Sequence, residues 1–316
     1  MSEIFGRSLA LVIPVHNDAA GLARLLDQAR ALGVFDQIIV VDDGSRPRLP
    51  RHQGVQLLRN PLARGGGRAR NRGLRAVRCD YVLFFDADDE LTHELARLLA
   101  DLKDWSATRP FDLCLFKHAD TRVGAEGLWG QPDWDERFWQ AAGLGPTPLA
   151  EIGPAAVKQL VQTANYPWNK ILRTAFLRQH GIGCAATTVH QDIPLHWLAF
   201  LKAETLLASD RVCALHHVRP GAGRLTNRRG RERFGVFEAL DPVAFTLRRD
   251  PEWRDVMTGF AEGLFTWIEA LIRPELKPEL TAAAAQWLLR HGLVGSPRTT
   301  QPSTGQPAPP VQEPDA

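Results

Sequence analysis

The stretch Tyr81-Val82-Leu83-Phe84-Phe85-Asp86-Ala87-Asp88-Asp89 constrains this chain more than any other. Five consecutive apolar or aromatic residues bounded by Asp fit a strand buried on both faces, the kind found in sheets covered by helices. Its carboxyl end carries three acids spaced Asp-x-Asp-Asp, at the rim where open α/β sheets take their ligands. Carboxylates that close repel one another unless a cation sits among them. Oxygen ligands suit a hard divalent ion, Mg²⁺ or Mn²⁺, commonly one that also grips a phosphate. The plain alternative is a solvated turn whose Asp caps a helix starting near Leu91. The spacing alone does not choose between them, because short acidic motifs recur by chance.

The flanking sequence repeats the same scheme. Leu9 to Val15 predicts a buried strand and His16-Asn17-Asp18 the turn after it. Asp18 then caps a helix to about Gly33, with Leu22, Leu25, Leu26 and Ala29 as its buried stripe. Gln37 to Val41 is a second strand, again ending in acids and a glycine, Asp42-Asp43-Gly44-Ser45, and Val55 to Leu58 a third. Strands alternating with helices imply right-handed βαβ units and a parallel sheet. Between them lies Arg64-Gly65-Gly66-Gly67-Arg68-Ala69-Arg70-Asn71-Arg72-Gly73. No Lys-Ser or Lys-Thr follows, so it is not a P-loop, and Arg70 stands where a dinucleotide fingerprint has its last glycine. What remains is a flexible approach to a helix, offering guanidinium groups that can hold a diphosphate, or else simply a basic solvated face.

Further on, a helix is expected from Leu91 to about Trp105 and a strand from Phe111 to Phe116. The segment 124–154 is rich in Gly, Pro and Trp; Trp129, Trp134 and Trp139 are read as packing residues more than as sugar platforms. Tyr166 to Leu172 precedes a short helix to about His180, and Val189-His190-Gln191-Asp192 opens another, with Asp192 looking like an ordinary cap before Pro194. A weak strand at 205–208 and a stronger one at 212–218 close the sheet. The basic stretch Arg219 to Arg229 reads as a lid over a phosphate-bearing substrate, as a peripheral contact with an anionic membrane surface, or as a solvated loop. Residues 234–292 look wholly helical, with an apolar stripe through Val256, Phe260, Leu264, Trp267, Ile268 and Leu271 that serves as core or interface. The Pro-rich end, 295–316, is expected to be disordered.

Composition excludes several classes. A formal net charge of +2 over 316 residues gives no basic field for nucleic acid. Four scattered cysteines without a Cys-x-x-Cys pair fit reduced, buried thiols and a cytoplasmic protein. The apolar run after Arg7 is too short for a signal or a spanning helix.

Taken in order, these pieces resemble the family-2 glycosyltransferases, inverting enzymes with the GT-A nucleotide-sugar-binding fold. The resemblance rests on Val12-Ile13-Pro14-Val15-His16-Asn17, Val40-Val41-Asp42-Asp43-Gly44-Ser45, Ala69-Arg70-Asn71-Arg72-Gly73 and Phe85-Asp86-Ala87-Asp88-Asp89. It continues in Pro167-Trp168-Asn169-Lys170, in Gln191-Asp192 and in the loop from Arg219 to Thr226. It implies a GT-A domain over 1–230, with a nucleotide-binding half to 120 and an acceptor half from 121. A helical extension over 231–294 and the tail would follow. The resemblance makes Asp43 the partner of the donor's base, flanked by Pro14 and His16, and Arg70 a phosphate contact. It makes Asp86 and Asp88 the acids that hold Mn²⁺ or Mg²⁺, with Asp88 favoured for direct coordination. Asp89 would contact the donor sugar or substitute as ligand. Asp192 would be the general base, and Arg219 and Arg224 would cover the diphosphate, with His217 a further candidate metal ligand. Lys170 would support the acceptor side.

The implied activity is metal-dependent transfer of a sugar from a nucleotide-diphosphate donor, UDP-linked by preference, to a hydroxyl of a glycan or lipid-linked acceptor. The family commonly has Glu where this chain has Gln191, which keeps hydrogen bonding but loses a charge. Two alternatives stand beside it. A sugar nucleotidyltransferase would share the architecture, but Pro14-Val15-His16-Asn17 occupies the place of its Gly-rich signature. A non-catalytic nucleotide-sugar-binding module has only Gln191 in its favour.

Overall fold

A computed structural model describes residues 5–123, 132–218 and 228–293. In chain order the elements are β1 (Leu9–Val15), α1 (Ala19–Leu32), β2 (Gln37–Asp43), β3 (Val55–Asn60), α2 (Gly66–Ala76), β4 (Tyr81–Phe84), β5 (Glu90–Leu91) and α3 (Glu94–Thr108). The second half has β6 (Leu113–Asp120), α4 (Asp133–Ala141), β7 (Ala150–Glu151), α5 (Pro154–Leu160), β8 (Lys170–Arg173), α6 (Thr174–Gln179), α7 (Ile193–Lys202) and β9 (Leu206–His216). Helices α8 (Gly235–Leu247), α9 (Pro251–Leu271) and α10 (Lys277–Arg290) follow.

One nine-stranded sheet runs in the order β3-β2-β1-β4-β8-β6-β9-β5, with β7 on β9. The amino-terminal quartet β3-β2-β1-β4 is parallel, as the βαβ alternation requires. Past β4 the sheet is mixed: β8 runs against both β4 and β6, β6 and β9 are parallel, and β5 and β7 run against β9. The weak and strong strands expected near 205–218 are one strand, β9, with irregular register beside Phe116 to His118.

Local chemistry accounts for the elements that place the site. Asp18 caps α1 by accepting from the Gly21 N–H at 2.8 Å, and Gly33 ends it at φ 63°. The buried face of α1 is Leu22, Leu25, Leu26 and Ala29, with Gly21. In α2 the glycines are the first helical turn itself, so Arg70 projects from helix interior instead of from a flexible approach. Gly73 lets α2 lie directly on the sheet: a Cβ there would meet Val12 Cγ1 at 2.3 Å. The Gly-, Pro- and Trp-rich segment between 124 and 154 contains α4, whose Trp139 is 2% exposed. Trp134 lies under the Arg122 guanidinium at 4.9 Å, and Trp129 falls outside the described residues. Of the apolar stripe on α9, Phe260, Leu264, Ile268 and Leu271 are buried, the first three in the same apolar cluster as Trp197 and Phe200 of α7. Residues 295–316 lie outside the description.

Candidate active site

The carboxyl ends of β1, β2 and β4 lie side by side and carry His16, Asp42, Asp43 and the run after Phe84 along one rim of the sheet. Asp43 is 4% exposed, and its carboxylate pins the chain entering α2. It accepts from Asn60 Nδ2 at 2.7 Å, from the Arg64 N–H and from the Gly65 N–H at 2.7 Å. Asp42 takes the Ser45 N–H at 2.8 Å and pairs with Arg59. His16 Nδ1 lies 2.8 Å from the Asp43 carbonyl oxygen, one residue past the end of β1, whose kink-prone Pro14 pairs with Val41.

Asp86, Asp88 and Asp89 converge so that one oxygen of each lies within 4.8 Å of the others. The two-residue strand β5 makes this possible. By pairing with Ala214 and Leu215 it brings the end of β9 to Asp89, whose Oδ1 accepts from His216 Nδ1 and from the His217 N–H, both at 2.9 Å. Asp89 is 1% exposed, and its Oδ2 is buried with no hydrogen-bond partner. A buried carboxylate oxygen left without a donor is costly, and a divalent cation held with Asp86 and Asp88 would satisfy it. The donor set is all oxygen, which fits Mg²⁺ or Mn²⁺. His217 is not among the three. Its Nε2 lies 2.9 Å from Glu90 Oε1. The three acids do not cap α3 either, whose N-cap is His93. Burial lowers and Asp89 raises the pKa of His216, with a net rise.

Arg70 ties this cluster to Asp192. Its Nη2 donates to Asp86 Oδ1 at 2.5 Å and its Nη1 to Asp192 Oδ1 at 3.0 Å. Burial alone would lower its pKa, but Asp192 first and Asp86 next raise it well above the ordinary arginine value. Asp192 holds the N-cap position of α7 without making a cap bond; its carboxylate is committed across the cleft, with the Cys184 thiol 3.6 Å from the same oxygen. Burial raises the Asp192 pKa, Arg70 opposes, and the net shift is upward. Gln191 is a latch. Its Oε1 accepts from the Gly67 N–H at 2.5 Å, and its carbonyl accepts from the Ala185 N–H at 2.7 Å. A Cβ at Gly67 would come within 2.5 Å of the Ala185 oxygen and 3.0 Å of Gln191.

Lys170 lies beneath the cleft, fully buried, its ammonium held by Asn169 Oδ1 and the Tyr166 carbonyl. Burial draws its pKa to about 7, against Asp192 and then Asp135. Asp135 is likewise pushed up to about 7 by burial. Arg219 and Arg224 lie outside the described residues. Sequence reasoning missed Cys184, His216 and Glu90. The one signal for His216 was its place beside His217, at the end of a strand returning to the acidic turn.

Acids converging at the carboxyl rim of an open sheet, with a guanidinium bridging to an acid on a distant helix, stand where α/β sheets take their ligands. Comparison with known proteins agrees. Residues 10–108 match the model of Glycosyl transferase family 2, and the fold as a whole is that of GT-A structures. A pre-mycofactocin glycosyltransferase of Mycobacterium tuberculosis is 40% identical over 88 residues, 26% of this chain and 18% of that protein. An uncharacterized glycosyltransferase of Haemophilus influenzae is 31% identical over 86 residues, 26% of this chain and 29% of that protein. The chain thus spans less than a third of the length of these curated relatives. Among solved structures, S. aureus TarS 1–349 in complex with UDP-GlcNAc superposes with a TM-score of 0.59 at 18% identity, over 90% of this chain and 89% of that one. The same protein in complex with UDP gives 0.51. Among the described residues no helix is long and apolar enough to cross a membrane.

Proposed function

We propose that this chain is a metal-dependent, inverting glycosyltransferase that moves a sugar from a UDP-sugar to a hydroxyl of a glycan or lipid-linked acceptor, with Asp192 as general base. The observation that carries the reading is the single Arg70 guanidinium bound to Asp86 and to Asp192. One guanidinium thus joins an acid of the candidate metal cluster to the candidate proton acceptor. Asp86, Asp88 and Asp89 would hold the divalent ion, which when bound neutralises negative charge on a departing diphosphate. Arg70 adds fixed positive charge at the same place, while Asp192 takes the proton of the acceptor hydroxyl. The cleft floor at Asp43 and His16 is the place for the donor's base, and Lys170 acts from below through Asp192 and Asp135. Gln191 gives no support to a binding module, because its amide does structural service at Gly67. The four free, buried thiols favour a cytoplasmic site of action.

The test is UDP release from a panel of UDP-sugars with Mn²⁺. Asp192→Asn should cut turnover by about 10²–10⁴-fold and leave UDP-dependent thermal stabilisation in place. Undiminished release in that variant removes Asp192 as the base. If no nucleotide sugar raises the melting temperature of the native chain with Mn²⁺ present, the whole reading fails.

A further inference from the structure

His190, the residue before Gln191 and Asp192, has φ 61°, a left-handed conformation that among the described non-glycine residues only Asn17 shares. Such a conformation persists where the surroundings enforce it, and these cluster at functional sites. The surroundings here come from the region that follows the sheet. Arg233 Nη1 lies 3.5 Å from His190 Nε2. The Arg233 Nε donates to the Arg228 carbonyl at 2.8 Å, and its guanidinium sits 5.0 Å over the Trp267 ring of α9. Trp267 in turn meets the His190 imidazole edge-on at 6.2 Å. At the start of α8, Gly235 lies so close to Thr187 that a Cβ there would approach the Thr187 Cβ to 3.1 Å. On the other side of His190 the chain is committed to the site: Gln191 to Gly67, Asp192 to Arg70, and the His190 carbonyl to the Ile193 N–H at 3.3 Å, where α7 begins.

We propose that Arg233, His190 and Trp267 form a clasp that positions the general base, so that the carboxyl-terminal helices are part of the catalytic apparatus. The proposal rests on the reading of Asp192 given above. These are positioning residues. His190 sets the backbone direction from which Gln191 and Asp192 leave, and Arg233 with Trp267 holds the ring that keeps it there. Burial and then the Arg233 charge hold the imidazole neutral, with its pKa near about 3, so Nε2 can accept from Arg233. Arg233 is 2% exposed, and a guanidinium is an expensive way to fill a core that apolar side chains could fill. Its place beside a left-handed backbone next to the base accounts for it.

Two measurements on the full-length chain test this. Backbone hydrogen exchange over residues 184–196 should quicken by about tenfold or more in His190→Ala and Arg233→Met, while the strands β1, β2 and β4 keep native protection. In UDP release with Mn²⁺, the same variants should lose about tenfold or more in kcat with the donor KM within about twofold, because only the placement of the base is disturbed. His190→Gly, which enters the left-handed region without a Cβ, should recover part of the rate lost in His190→Ala. Should Arg233→Met fail to fold, Arg233→Lys, which keeps a cation over Trp267, takes its place. Unchanged exchange over 184–196 overturns the clasp, as does a variant whose donor KM rises while kcat holds. A wild-type chain that binds no nucleotide sugar refutes the functional reading instead, and the exchange result still decides the clasp.

Discussion

Burial and a neighbouring guanidinium pull Asp192 in opposite directions, and burial wins. The consequence is a pH dependence. A carboxyl whose pKa is raised stays protonated to higher pH than an ordinary aspartate, and in that form it cannot accept a proton from the acceptor. The acid limb of kcat should therefore lie above the ordinary value of 3.8, with the rate falling as pH drops through the raised pKa. The measurement is kcat at saturating donor from about pH 8 downward; a profile that stays flat to about pH 4 contradicts the assignment. At this scale the sequence was half legible. Asp86, Asp88 and Asp89 could be read as a cluster because a strand end and a tight turn keep them together. Asp192-Ile193-Pro194 reads locally as a helix cap, and only the family resemblance singles Asp192 out, since nothing local reveals an arginine 122 residues earlier that takes its carboxylate away. Cys184 and His190 carry no sequence signal at all, because one matters through a thiol contact with Asp192 that no motif announces and the other through a backbone angle.

At the scale of elements, legibility followed length and periodicity. The helix α1 and the strands β1 and β2 were readable because apolar spacing and caps agree. β5 was not, since two residues show no period, although its pairing with β9 is what delivers His216 to Asp89. β8 was hidden because it runs against both neighbours in a sheet expected to be mostly parallel. The helix α2 is the element on which the site turns, and its seat on the sheet depends on Gly73. A methyl there would meet Val12 Cγ1 at 2.3 Å, closer than packing allows, so the helix must shift and Arg70 with it. Gly73→Ala should cost about 1–3 kcal/mol in denaturant unfolding and weaken UDP binding. Val12→Ala makes room for that methyl, so the double variant should be more stable than the sum of the two single losses, a coupling that a double-mutant cycle reads directly. Simple additivity would show that the close approach carries no strain.

For the whole molecule, the decisive fact is where the carboxyl-terminal helices lie. The motifs end near residue 230, and the sequence therefore suggests a transferase domain with an extension attached. In the structure α8 packs on α7, the helix that Asp192 opens, and Phe260 of α9 meets Trp197 of α7 with ring centroids 4.7 Å apart. Val236, Ala239, Leu240 and Val243 on α8, and Met257, Leu264 and Ile268 on α9, are fully buried in the cluster that also holds Val12, Val41 and Phe84 of the sheet. Burying one large apolar side chain contributes about 1.5–3 kcal/mol, and a domain's net stability is only about 5–15 kcal/mol. Uncovering Trp197 and its neighbours on α7 at once would use up that margin. A chain stopped after Gly230 should therefore lose its cooperative thermal transition and expose apolar surface to a hydrophobic dye, and it should fail to gain stability from UDP and Mn²⁺. Removing only residues 295–316 should leave the transition where it is. A truncated 1–230 chain that melts cooperatively and binds UDP would mean the helices ride on an already complete domain, and that the base-bearing segment stands without them.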